Sequence, residues 1–276
     1  MADQPRETAD FPVPAPLSSH GPARVIALCN QKGGVGKTTS TINIAASLAE
    51  YGRKVLVVDF DPQGALSAGL GVHANDKTIY NLLFARDLLP TDVIVATAVP
   101  NLDLLPANID LSAAEMQLVS EIGREKALKR VLDKVADSYD VILIDCQPSL
   151  GLLTVNALTA AHGVLIPLAC EFFALRGVAL LLDIISKVRD SSNEALKIDG
   201  VLATMYDPRT LHSKEVLELL QKQFSDQLLS TQISRTVKFP DASVAAAPMT
   251  TFAPDSAAAA SYRSVARELV SRGCAP

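Results

Sequence analysis

Val25-Ile26-Ala27-Leu28-Cys29-Asn30-Gln31-Lys32-Gly33-Gly34-Val35-Gly36-Lys37-Thr38-Thr39 passes from an apolar segment through a glycine-rich turn into a helical pattern. Residues Val25 to Cys29 read as a short buried strand. Thr38 to Tyr51 reads as a helix, closed by Gly52 as its C-cap. Between them, glycines let backbone N–H groups turn toward an anion with no Cβ in the way. The helix N-terminus adds a favourable partial positive charge. Strand, loop and helix in this order are the context a phosphate-binding loop requires. Lys37 is placed to reach the β- and γ-phosphates of a nucleotide, and the Thr38 hydroxyl to coordinate Mg²⁺.

The standard form of such a loop, GxxxxGK[ST], needs glycine where this chain has Gln31. The variant KGGxGKTT matches at every position and carries a second lysine, Lys32. This is the deviant Walker A motif. ATP is therefore expected on Lys32, Gly33, Gly34, Val35, Gly36, Lys37, Thr38 and Thr39. Lys32 opens the loop, where its side chain can project outward. Two triphosphates facing each other across a dimer repel, and a lysine from each subunit reaching the other's phosphates offsets that repulsion. It would also stabilise charge during phosphoryl transfer, as an arginine finger does.

Two further stretches end in carboxylates. Lys54 to Asp59 reads as a second strand, and alternation puts Asp59 and Asp61 of VVDFDPQG on one side of it. At the C-terminal end of a parallel strand, that side opens on the ligand crevice. Asp61 is assigned to orienting the attacking water, and Asp59 to supporting Thr38 and the Mg²⁺ shell. Asp145 follows four apolar residues in VILIDCQPS, a Walker B pattern, and is expected to bind Mg²⁺ through water. Lys32, Lys37 and Asp61 form the expected catalytic set, and Thr38, Asp59 and Asp145 the expected metal set.

The rest of the chain repeats short apolar strands separated by helices. Strands are predicted over 102–105, 141–145, 163–168, 200–205 and 228–233. Helices are predicted over 78–84, twice within 111–137 with a break near Gly123, and over 174–189, 212–224 and 256–272. Leu175, Val178, Leu182 and Ile185 line one face of the 174–189 helix, with Arg176, Asp183, Lys187 and Asp190 opposite. Ala258, Tyr262, Val265 and Leu269 form a stripe on the last helix. The pattern predicts an α/β fold: a mostly parallel twisted sheet with helices on both faces. A single domain is expected over 23–276, preceded by a proline-rich, disordered tail over 1–22.

Composition agrees. Hydrophobic residues make up 49% of the 276 and aromatics 5%, which suits an aliphatic core of parallel strands. A net charge of −5 argues against a generally basic nucleic-acid binder, but leaves room for a local basic patch. The four cysteines include no CxxC pair, so zinc or iron–sulfur spacing is missing and reduced thiols in a cytosolic setting are expected. No apolar run approaches the roughly 20 residues needed to span a bilayer.

Together these motifs resemble the ParA/MinD group of ATPases, and ParA more closely. Beyond KGGVGKTT, the stretches VLVVDFDPQG, LLPANIDLSAAE, VILIDCQPSLGLLTVNALTAA, IPLACEFFALRG, ATMYDPRTLHS and ISRTVKFPDAS are similar to ParA, over about residues 24 to 270. The resemblance implies an ATP-dependent sandwich homodimer, non-specific DNA binding, and a ParB-like partner that stimulates slow hydrolysis in a cytoplasmic, nucleoid-associated cycle. It implies DNA-phosphate contacts at Arg209, Arg235 and Lys238, and nucleotide-base contacts at Ser234 and Thr236. The last two stand where the family usually has Pro and Asn. Ser256-Ala257-Ala258-Ala259 also departs from relatives that often carry a basic residue there. An orphan relative positioning division machinery or another cargo, or a MinD-like protein, is the alternative function. A MinD-like protein needs an amphipathic membrane helix, usually C-terminal, and none follows the last helix here, so membrane binding is not expected.

Overall fold

The computed structural model describes residues 11–276 apart from 74–76, 86, 172 and 173, with the backbone alone for 174–176. Among the described residues, seven strands form one sheet. They are β1 (Arg24–Leu28), β2 (Val55–Phe60), β3 (Val95–Ala96), β4 (Leu102–Leu105), β5 (Val141–Cys146), β6 (Gly163–Ala169) and β7 (Lys197–Thr204). Their order is β3-β4-β2-β5-β1-β6-β7, parallel throughout except for the short edge strand β3. β2, β5 and β6 are buried along their whole length, as continuous apolar strands covered on both faces must be.

The helices are α1 (Lys37–Glu50), α2 (Ala65–Gly69), α3 (Ile79–Phe84), α4 (Leu111–Leu118), α5 (Ala127–Leu132), α6 (Leu152–Ala160), α7 (Ala174–Ser191), α8 (Leu211–Phe224), α9 (Lys238–Val244), α10 (Met249–Phe252) and α11 (Ala257–Ser271). Strand alternation divides the core in two. Ile142 and Ile144 of β5 face one layer with Leu128 of α5 and Leu153 of α6. Val141 and Leu143 face the other with Ile44 of α1 and Val265 of α11. Tyr262, Val265 and Leu269 of the expected stripe are buried, while Ala259 rather than Ala258 takes the buried place at its start. Val178 and Ile185 of α7 are buried; the side chains of Leu175 and Arg176 lie outside the described residues.

One predicted strand is corrected. Residues 228–233 form no strand; an isolated bridge pairs Leu228 with Val201 of β7, and a second, just past the segment, pairs Ser234 with Tyr206. The buried carboxylate of Glu268 on α11 accepts from the amides of Ser230, at 2.7 Å, and Thr231, at 3.1 Å. These amides are thereby taken by a side chain instead of a ladder. Residues 11–22 contain no helix or strand but are tied to the body. Arg53 Nη1 donates to the Ala15 carbonyl, and Asp140 accepts from Gly21 N at 2.9 Å with His20 Nδ1 at 2.7 Å. Residues 1–10 lie outside the described residues. Among the described residues, no helix is long and apolar enough to cross a membrane.

Candidate nucleotide and magnesium site

β1, β2 and β5 run side by side in the same direction, so their C-terminal ends open on one edge. The register sets Leu28 beside Asp145 and Asp59 beside Asp145. From β1 the chain crosses to β2 on one side, while β6 lies on the other, which is the crevice where open α/β sheets bind ligands. The glycine-rich loop fills this position. Gly34 and Gly36 have φ of +72° and +85°, a left-handed backbone open to glycine. A Cβ on Gly34 would meet no atom within 4 Å, so the requirement there is conformational. Gly36 is the N-cap of α1, which has no side-chain cap and no acid in its first turn. Its first N–H groups are left available to an anion.

Thr38 Oγ1 donates to Asp145 Oδ2 at 2.7 Å, and Thr41 Oγ1 to Asp145 Oδ1 at 3.2 Å. Burial, and then the neighbouring Asp59, push the Asp145 carboxyl up to about 7, against the opposing pull of Thr38, Lys37 and Thr41. Such a carboxylate gains from a cation. A hydroxyl beside a carboxylate is a hard-oxygen donor pair that suits Mg²⁺, which keeps several waters and takes phosphate oxygens for the rest. Among the described residues no group of three or more His, Cys, Asp or Glu could hold a metal. Lys37 Nζ folds back to the Lys32 carbonyl at 3.2 Å. Burial pulls the Lys37 ammonium down from its ordinary value, and Asp145 pulls the other way. The residues present fit Mg²⁺ and a triphosphate.

The two acids of the second strand separate. Asp59 is fully buried and accepts from Ser67 N at 2.8 Å and Ser67 Oγ at 2.7 Å, so its carboxylate anchors the start of α2. Burial pushes it up to about 6. The hydroxyl of Thr38 is held by Asp145, not by Asp59. Asp61 stands half-buried just past β2, with Oδ1 accepting from Gln63 N. The four cysteines are all unpaired and buried; the sulfurs of Cys29 and Cys146 lie 3.0 Å apart.

Beside the loop lies a cleft of 360 Å³ lined by Gly36, Thr39, Met205, Ser234, Thr236 and Tyr262, among others. The structure thus brings Ser234 and Thr236 next to the phosphate loop. The Lys32 backbone is fixed by Asn30 Oδ1, which accepts its N–H at 2.9 Å, while Asn30 Nδ2 donates to the Pro167 carbonyl of β6. Its side chain runs outward to Glu171. Arg209 is exposed and paired with Asp207 at 2.8 Å; this pair pulls the Asp207 carboxyl down to about 2. Arg235 and Lys238 are exposed, and the Tyr206–Ser234 bridge sets their segment beside the one carrying Arg209. Sequence reasoning missed Asn30, Thr41, Glu171, Met205 and Tyr262. Only Thr41, one turn beyond Lys37 on the same helix, carried a local signal.

This fold and this loop, with a hydroxyl–carboxylate pair at its floor, define a P-loop nucleotide-binding protein. Residues 23–198 match the family described as an AAA domain. An uncharacterized Mycobacterium tuberculosis protein is 61% identical over 264 residues, 95% of this chain and 83% of its own length. The chromosome-partitioning ATPase Soj of Treponema pallidum is 48% identical over 249 residues, 90% of this chain and 98% of its own. A Mycobacterium smegmatis crystal structure, described as cobyrinic acid a,c-diamide synthase with bound ATP analogue and magnesium, superposes with a TM-score of 0.80. It is 43% identical and covers 90% of this chain and 94% of its own. The chain belongs to the ParA family of P-loop ATPases.

Proposed function

We propose that this protein binds Mg-ATP, pairs face to face with a second copy across two nucleotides, and in that form binds DNA without sequence preference. A ParB-like partner stimulates its slow hydrolysis, and the cycle drives chromosome or plasmid segregation on the nucleoid. The observation that carries this reading is the direction of Lys32. Its backbone is pinned at both ends, by Asn30 and Lys37, while its side chain leaves the loop and is 42% exposed. A lysine held this way serves an anion on a facing molecule better than one in its own loop.

The other residues take roles that their positions support. Lys37 and the α1 N-terminus hold the phosphates, Ser234 and Thr236 border the base, and Thr38 with Asp145 holds Mg²⁺. The bound cation supplies charge neutralisation on the β- and γ-phosphate oxygens. Asp61 orients the attacking water, and Asp59 keeps the start of α2 in place behind it. Arg209, Arg235 and Lys238 contact DNA phosphates, which predicts salt-sensitive, sequence-independent binding. Kinship to a chromosome-partitioning ATPase supports the cellular role.

The test measures ATPase rate and DNA co-sedimentation together. Lys32→Ala is expected to lose both activities. Asp61→Ala should retain ATP-dependent DNA binding and lose turnover. Arg209→Ala with Lys238→Ala should abolish DNA retention and leave dimerisation intact. Wild-type protein that stays monomeric with a non-hydrolysable ATP analogue and Mg²⁺ would overturn the reading.

A further inference from the structure

The outward course of Lys32 ends on one carboxylate. Its Nζ lies 2.5 Å from Glu171 Oε2, and Arg235 Nη2 stands 3.6 Å from Glu171 Oε1. Glu171 follows the end of β6, and its own N–H donates to the Ala169 carbonyl at 2.7 Å. The phosphate loop is therefore pinned at two points, to β6 and to the residues that follow it. One is buried: Asn30 donating to Pro167. The other, Lys32 with Glu171, is exposed on both sides, at 42% and 43%.

We propose that Glu171 is a positioning residue for Lys32. It holds the lysine on its own subunit at rest, and dimer closure exchanges this carboxylate for the phosphates of the facing copy. The inference rests on the reading that Lys32 acts across a dimer. Three features carry it. The pair joins the lysine of the deviant motif to an acid outside the loop, so nothing in phosphate binding itself requires it. Its exposure makes it exchangeable, because exposed ion pairs shift an equilibrium by no more than about five-fold. A triphosphate, with several negative oxygens, outcompetes a single carboxylate. Finally, Arg235 remains beside Glu171 after Lys32 leaves, so the carboxylate is not stranded. Because Arg235 also lines the cleft beside the loop, the same acid links the cleft rim to the lysine.

Two measurements test this on the full chain. The first is acylation of lysines by an N-hydroxysuccinimide ester in the nucleotide-free protein, read by peptide mass spectrometry. Lys32 should react about two- to five-fold faster in Glu171→Gln than in wild type. Glu171→Asp, which keeps the charge on a shorter arm, should lie between them. The second is sedimentation with a non-hydrolysable ATP analogue and Mg²⁺. Glu171→Gln should halve, or lower up to about five-fold, the protein concentration for half-dimerisation. Lys32→Ala should not dimerise under these conditions, and adding Glu171→Gln should not restore a dimer. Unchanged Lys32 reactivity in both variants, or dimerisation weakened by Glu171→Gln, overturns the proposal. If Lys32→Ala dimerises like wild type, the face-to-face reading fails instead, and the acylation result still reports on the Glu171 contact.

Discussion

At Gly163, the first residue of β6, a Cβ would overlap the carboxylate of Asp199. That carboxylate is buried and bonded to Arg24 at 2.6 Å. Gly163→Ala must push the pair apart, and is expected to destabilise the fold by about 2–4 kcal/mol in urea denaturation. Gly163 lies at the opposite end of the strands from the phosphate loop, so nucleotide affinity of the folded protein should be unchanged. Asp145 behaves in the opposite way. Its carboxyl is raised to about 7 in the folded chain by burial and by Asp59, against about 3.9 in an unfolded one. Between those values the folded state binds a proton that the unfolded state lacks. Stability from this residue therefore falls as pH rises through that window. Asp145→Asn should make the nucleotide-free protein melt higher than wild type at pH 8, with little gain at pH 4. The same change should lower Mg-dependent ATP turnover about 100-fold or more, because a fixed charge at the reacting phosphates is lost. A variant that melts below wild type at pH 8 contradicts this account.

Between elements, the helix that begins at the phosphate loop is held from behind by the C-terminal third of the chain. Ser40 Oγ of α1 lies 3.1 Å from the Tyr262 hydroxyl of α11, both buried. Asn43 donates to the Thr39 carbonyl and accepts from Met249 N of α10 at 2.7 Å. Phe239 of α9 packs edge-on against the Tyr262 ring, 5.9 Å between centroids. Tyr262→Phe keeps the ring but leaves Ser40 Oγ without this partner, at an expected cost of about 1–2 kcal/mol in thermal melts. Because Tyr262 also lines the cleft, nucleotide affinity measured by titration calorimetry should fall, by less than tenfold. These contacts explain what could be read in advance. β2, β5 and the loop were legible because apolar runs and glycine spacing are local signals. α9 and α10 were not, since Phe239 of α9 is fixed by Tyr262 and Met249 of α10 by Asn43, 206 positions earlier. Residues 228–233 carry strand-like composition, and the acid that takes their amides, Glu268, is 37 positions away. Asp59 could be placed at the crevice by alternation, but its commitment to Ser67 depends on how α2 folds back.

Over the whole molecule, residues from Asn30 to Tyr262 converge on one edge of one sheet, so ligand binding must report on global stability. A ligand that binds only the folded state stabilises it by about 2.7 kcal/mol at 100 times its dissociation constant. For a chain of this size that raises the melting midpoint by about 5–8 °C. Mg-ATP analogue should produce this shift in wild type and not in Lys37→Ala, which lacks the ammonium at the loop. The dependence on protein concentration then separates two states of the molecule. If nucleotide binds isolated chains, the shift is the same at every protein concentration. If nucleotide draws two copies together, the association free energy adds to it. Each tenfold rise in concentration then contributes about 0.7 kcal/mol per chain, or about 1–2 °C. Wild type should show this slope with the analogue present and a flat line without it. Lys32→Ala should keep the nucleotide shift and lose the slope, since its loop still binds phosphate but has nothing to reach across with. A flat series in wild type, over a range where the analogue saturates the site, would show that the loop serves a single chain.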